Sequence, residues 1–265
     1  MVSTMIRLDK YLADSGYGTR SEVRSFLRIG EVTVNGEVVK DGARKIDPKC
    51  DIVARGGKAV EFSEFEYYML HKPAGIITAS RDKKEKTVIN LIDSKKRRDL
   101  FPVGRLDRDT EGLLLITNDG ELSHRLLSPK KHIEKRYIAL VSGVLPENIA
   151  EEFEKGIDIG DEKPTKPSTL RRLDSIEETG DSYIEENYER LAETFGSISI
   201  MDVGLTEGRY HEIKRMFEAF GGKVEYLKRI SMGGLKLDKG LSLGEYRKLT
   251  EEELEILKIG TEEGI

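Results

Sequence analysis

The run Val103-Gly104-Arg105-Leu106-Asp107-Arg108-Asp109-Thr110-Glu111-Gly112-Leu113-Leu114-Leu115-Ile116-Thr117-Asn118-Asp119-Gly120 sets charged, Gly-bounded residues directly against a short apolar stretch. Leu113 to Ile116 closes on Asn-Asp-Gly, which predicts a strand covered on both faces and ended by a turn. A loop that feeds such a strand is held rigidly at its exit. Asp107 lies in that loop between Arg105 and Arg108, and nearby cations favour an ionised carboxylate, the form a nucleophile needs. Two other readings compete. Asp-Arg-Asp-Thr-Glu-Gly fits the first half of a calcium loop, but the twelfth position, which needs a bidentate Glu, is Asn118, and a strand follows where a helix should. The remaining reading is an exposed turn with solvated charges.

At 265 residues the chain has room for one large domain or two, at about 100–200 residues each. The single Cys50 allows no intrachain disulfide, and no stretch resembles a signal peptide or a bilayer span, so a cytoplasmic protein with no membrane partner is expected. His71, His124, His132 and His211 are scattered, and no phosphate loop or dinucleotide fingerprint occurs. Neither a metal nor a cofactor is expected. The net charge of −5 hides segregation: residues 174–193 carry −7 and residues 250–265 carry −5, so the remainder is +7. Residues 95–137 hold a local +4, beginning with the basic run Lys95-Lys96-Arg97-Arg98. Clustered Lys and Arg, rather than net charge, supply affinity for phosphate.

Leu8, Tyr11 and Leu12, then Val23, Phe26 and Leu27, have helical spacing. Thr19 and Glu22 form a capping box for the second helix and Gly30 stops it. Val32-Thr33-Val34, the Asn35-Gly36 pair and Glu37-Val38-Val39 predict a hairpin on a type I′ turn. Arg20, Arg24 and Arg28 share one helix face. Residues 63–67 read as a linker, dividing the chain into 1–62 and 68–265. Beyond it, Tyr68-Met69-Leu70 begins a strand, Pro73 forbids helix, and Ile76-Ile77-Thr78 is extended. Glu121 to Leu127 predicts a helix, Tyr137 to Val141 a strand, Ile149 to Lys155 a helix and Ser197 to Val203 a strand. Ile213, Met216, Phe217 and Phe220 mark a helix carrying Lys214 on its polar face. Val224 to Leu227, Ile230 to Leu237 and Gly244 to Leu249 read as closing strands before an acidic helix from Glu251 to Leu257. Ile184, Tyr188, Leu191 and Phe195, behind Asp181 or Ser182 as N-cap, predict an acidic amphipathic helix packed away from the cleft. The class is α+β: a helix-helix-hairpin module, then a larger domain with a mixed, mainly antiparallel sheet.

Gly104-Arg105-Leu106-Asp107 with Thr110, Gly112 and the apolar run resembles the central motif of the ribosomal-RNA pseudouridine synthases. Lys72-Pro73-Ala74-Gly75, Lys135-Arg136-Tyr137 and Glu207-Gly208-Arg209-Tyr210-His211-Glu212-Ile213-Lys214-Arg215-Met216-Phe217 continue it over nearly the whole chain. That resemblance implies a central cleft, Asp107 as the catalytic residue, Tyr137 stacking on the target base, and Lys214 pairing with Asp107; Arg105, beside Asp107 in the loop, is the second candidate cation by charge alone. The N-terminal piece resembles the alpha-L (S4-type) RNA-binding module, which implies phosphate contacts for Arg7, Lys10, Arg20, Arg24 and Arg28. Lys72, Arg209 and Arg215 complete the expected RNA-contacting set. The implied activity is isomerisation of one uridine in ribosomal RNA to pseudouridine by a monomer, on naked RNA or a subunit assembly intermediate. The spelling of Lys155-Gly156-Ile157-Asp158, Thr165-Lys166-Pro167 and Gly208-Arg209-Tyr210-His211 is more similar to the small-subunit enzymes. A large-subunit enzyme and a non-catalytic assembly factor are the alternatives.

Overall fold

The computed structural model describes residues 5–62, 64–93 and 99–262, so the basic run at 95–98 lies outside the described residues. The chain falls into two compact units, residues 1–66 with 93–100, and residues 67–92 with 101–265.

In the smaller unit the helices Leu8–Asp14 and Arg20–Arg28 form where the spacing puts them, and the Thr19–Glu22 capping box closes in both directions. Their apolar faces meet Val32, Val34 and Val53 in one core. Asn35 and Gly36 take φ of 55° and 85°, the two positive values that a type I′ turn requires. Val53–Arg55 and Lys58–Ala59 widen the hairpin to four strands, an extension too short to leave a periodic signal. Asp9 is fully buried in this unit and takes hydrogen bonds from both Arg7 and Arg24. The Arg7 guanidinium, aided by Arg24, holds the Asp9 carboxyl below its ordinary range against the burial that would raise it. Arg7 and Arg24 hold this internal carboxylate from exposed positions, Arg20 and Arg28 are exposed as well, and Lys10 lies 3.9 Å from Asp14.

The larger unit is built on one sheet whose main path runs Thr169–Leu173, Ile198–Leu205, Lys135–Ser142, Lys223–Met232, Glu111–Thr117, Tyr67–Lys72, Tyr246–Lys248. Pairing is antiparallel throughout this path except where Lys228 and Arg229 run parallel to Glu111 and Gly112. Backbones nearly touch at that junction. A Cβ on Gly112, whose φ is +104°, would stand 2.2 Å from Arg229 O, so only glycine fits. The Glu111–Thr117 strand is buried along its whole length, as its unbroken apolar run implies. Three expectations change. The first strand begins at Tyr67 and continues through His71 and Lys72; the expected break at 228–229 is absent, because Lys223–Met232 is one strand that turns only at Gly233-Gly234 into Leu235–Lys236; and the polar stretch Thr169–Leu173 is an edge strand, exposed at most positions and so without apolar alternation.

The acidic segment forms a helix, Ser182–Phe195, capped by Asp181. Ile184 and Leu191 pack with Ile138, Leu140, Ile200 and Tyr226. Successive strand residues face opposite ways, so this helix covers the face opposite Tyr137. Asp181 also pairs with Lys228, which is 1% exposed, at 2.7 Å. Removing one partner of a buried pair strands the other charge, at about 3–5 kcal/mol. We therefore expect Asp181→Ala to lose stability of that order in urea unfolding, and Lys228→Met added to it to recover most of the loss. A single variant as stable as wild type would contradict the pairing.

Candidate active site

The loop before the buried strand is fastened at several points. Lys72, with no exposed surface, donates from Nζ to the carbonyl oxygens of Pro73 (3.0 Å), Arg108 (3.2 Å) and Thr110 (2.9 Å). Thr78 Oγ1 donates to Leu106 O at 2.8 Å and accepts from Leu106 N at 3.3 Å. Gly75 N reaches Arg108 O at 2.8 Å, and Thr110 N closes the turn on Asp107 O at 3.2 Å. Asp107 thus projects from a backbone fixed on both sides, into a cavity of about 1090 Å³.

Two cationic candidates from the Glu212–Glu218 helix and its cap reach that carboxylate. Lys214 Nζ lies 3.7 Å from Asp107 Oδ2, and His211 Nε2 lies 3.7 Å from Oδ1. A unit cation near 4 Å contributes about 4 kcal/mol at an effective dielectric of 20, before desolvation. Lys214 is closer still to Asp109, at 2.6 and 2.7 Å. Burial would raise the Asp109 carboxyl, but the Lys214 ammonium keeps it below its ordinary range. Lys214 thus bridges two carboxylates rather than serving Asp107 alone. Arg105, the other expected cation, is exposed and forms no ion pair among the described residues.

Tyr137 and Arg229 line the same cavity from adjacent strands. Lys72 and Lys135 are buried as well, and burial, the largest cause for each, brings both down to about 8. Burial, with the Glu207 charge beside it and despite a hydrogen bond from Arg209 N, pushes Glu212 up to about 7.

Three of the expected RNA-contacting side chains already have partners within the chain. Lys72 is an internal fastener with no surface to offer a phosphate. Arg209 binds Glu207, Lys163 O and Pro164 O, and Arg215 binds Asp161 and Ile159 O, so both guanidiniums brace the 159–164 segment against the helix. Conversely, the sequence assigns no site role to Thr78, Asp109, His211 or Arg229, all of which line the cavity or belong to the loop that carries Asp107. His211 carried one signal in principle, since it sits inside a quoted motif; its left-handed φ of 50°, rare for a non-Gly residue, is visible only in the fold.

Asp107, Lys214, His211 and Tyr137 thus line one cavity, a carboxylate with two basic side chains and an aromatic ring around it. The family described as RNA pseudouridylate synthase matches residues 66–219, and the S4 domain matches residues 6–53. A Bacillus subtilis (strain 168) protein named uncharacterized RNA pseudouridine synthase YtzG is 42% identical over 254 residues, 95% of this chain and 98% of that one. The ribosomal small subunit pseudouridine synthase A of Escherichia coli (strain K12) is 37% identical over 250 residues, covering 94% and 98%. A crystal structure titled as a pseudouridylate synthase is 36% identical, covers 95% and 99%, and superimposes with a TM-score of 0.62. The chain belongs to the RNA pseudouridylate synthase family.

Glu212 gives a stability test with a definite sign. Its folded-state value, about 7, lies above the ordinary 4.5, so its stability contribution is full below about pH 4.5 and is lost as pH rises through 7. Unfolding midpoints across that range should fall less for Glu212→Gln than for wild type, the variant gaining relative stability up to pH 7. Parallel curves would place the carboxyl in contact with water.

Proposed function

We propose that this chain isomerises one uridine of small-subunit ribosomal RNA to pseudouridine in the cytoplasm, as a monomer, with Asp107 as its nucleophile. The observation that carries the reading is the placement of Asp107, Tyr137 and Lys214 around one cavity, on a loop pinned by Lys72 and Thr78. Small-subunit RNA is supported by the name and near full-length coverage of the Escherichia coli relative.

Each residue type answers a step. A base inside folded RNA must first be extruded, at a cost of roughly a few kcal/mol, and stacking on an aromatic offsets this by about 1–3 kcal/mol. Tyr137, held at the cavity wall with little exposure, offers such a face. Asp107 then meets the sugar or base. The C1′–N1 bond breaks, the uracil turns, C5 joins C1′, C5 gives up its proton and N1 gains one, so product and substrate have one composition and no redox partner is needed. Lys214, and His211 when protonated, compensate the carboxylate until it reacts. The N-terminal unit supplies exposed Arg20 and Arg28 for phosphate.

The deciding comparison uses transcripts of each subunit's RNA labelled with tritium at C5 of uridine. Wild type should release tritium from small-subunit RNA, and Asp107→Asn should release none while still binding. An Asp107→Asn rate within tenfold of wild type, a barrier change under about 1.4 kcal/mol, would remove Asp107 from the chemistry. Release from large-subunit RNA alone would move the substrate, and binding without release by wild type would leave an assembly factor.

A further inference from the structure

Five buried side-chain atoms among the described residues have no hydrogen-bond partner, and three of them, Thr110 Oγ1, Glu212 Oε1 and Arg229 Nη2, belong to residues lining the cavity around Asp107. Buried polar groups without partners are uncommon in folded proteins, and a charged one is the most costly to keep. Arg229 is 2% exposed. Its Nε donates to Leu113 O at 2.7 Å, and no terminal N–H of its guanidinium has an acceptor among the described residues. The buried lysines nearby are turned elsewhere: Lys72 to three backbone carbonyls and Lys135 to Ile133 O at 2.9 Å.

Position gives these donors a target. Tyr137 and Arg229 are register partners on neighbouring antiparallel strands, so their side chains leave the same face of the sheet. A base stacked on Tyr137 would share this sheet face with the guanidinium. We propose that Arg229 is a catalytic residue of the uridine isomerisation, donating through its terminal N–H groups to a carbonyl oxygen of the target uracil and stabilising the negative charge that the base acquires. The inference rests on the functional reading above and adds a residue to it.

The demand for such a donor does not depend on the atom Asp107 attacks. If C1′–N1 breaks heterolytically, its electron pair leaves with the base and spreads from N1 onto the ring carbonyl oxygens. If the carboxylate adds to C6, the C5–C6 π pair moves onto O4 as an enolate. In both cases an oxygen of uracil becomes anionic. A fixed, buried cation meets that charge without reorganising, where its field is stronger than in water.

The test uses the full chain and wild-type RNA substrate under single-turnover conditions, with RNA affinity and unfolding midpoint measured alongside. Arg229→Met should lose roughly a hundredfold or more in rate, the scale of removing one oxyanion donor, with RNA affinity little changed. Arg229→Ala should regain rate when millimolar guanidinium is added. With 5-fluorouridine at the target, whose base departs more readily as an anion, the Arg229→Met deficit, read as loss of the parent nucleoside, should shrink. A residue that only braces Leu113 would lower the unfolding midpoint, ignore guanidinium and show equal deficits on both substrates, and that outcome overturns the proposal. Should the Met and Ala variants not fold, Arg229→Lys decides: a full wild-type rate overturns it, and a reduced rate with a smaller deficit on 5-fluorouridine supports it. An inactive wild type would overturn the functional reading itself, whereas an active wild type with an equally active Arg229→Met would overturn this inference alone.

Discussion

The Lys72 ammonium, without exposed surface, ties the end of one sheet strand to the loop that carries Asp107 through the carbonyl oxygens of Pro73, Arg108 and Thr110. Hydrogen bonds to a charged donor contribute about 1.5–3 kcal/mol each, and carbonyls left without a donor in a buried site cost about as much. Burial works against the charge and brings Lys72 to about 8, yet at neutral pH the protonated form still supplies three N–H groups. Everything functional hangs from this knot. Thr78 fixes Leu106, Gly112 lets the strand approach Arg229, and the Glu212–Glu218 helix sets Lys214 and His211 against the carboxylate.

Periodicity and punctuation made most of the elements legible, because they are consequences of local physics. The capping box at Thr19, the Asn35-Gly36 turn, the apolar run at Leu113 and the amphipathic Ile184–Leu191 pattern each have one cheap solution, and the fold takes it. Thr169–Leu173 escaped because an edge strand exposed at most positions keeps no apolar alternation. Lys223–Met232 looked like two pieces because it contains Lys228 and Arg229, polar residues whose burial depends on partners distant in sequence.

The same limit governs the site. Asp107, Tyr137 and Lys214 could be named from motifs, but the duty of a charge cannot be read from its type. Lys72 is an internal fastener in the fold, whereas Arg209 and Arg215 are half-exposed and bonded to the 159–164 segment, and the exposed Arg7 and Arg24 are shared with Asp9. Arg229 shows the opposite case: among strand residues nothing marks it, and only its unpaired donors in the cavity floor do. The acidic helix Ser182–Phe195, with a net charge of −3, packs on the face opposite Tyr137 and so away from the cavity.

The reading of this chain as the enzyme for one small-subunit uridine is tested most directly by mapping every pseudouridine in ribosomal RNA from cells with and without it. The account predicts that one pseudouridine of the small-subunit RNA disappears in its absence, that the wild-type chain restores it, and that large-subunit sites are unchanged. A complete pseudouridine set in cells lacking the chain, or a loss confined to large-subunit RNA, would contradict it.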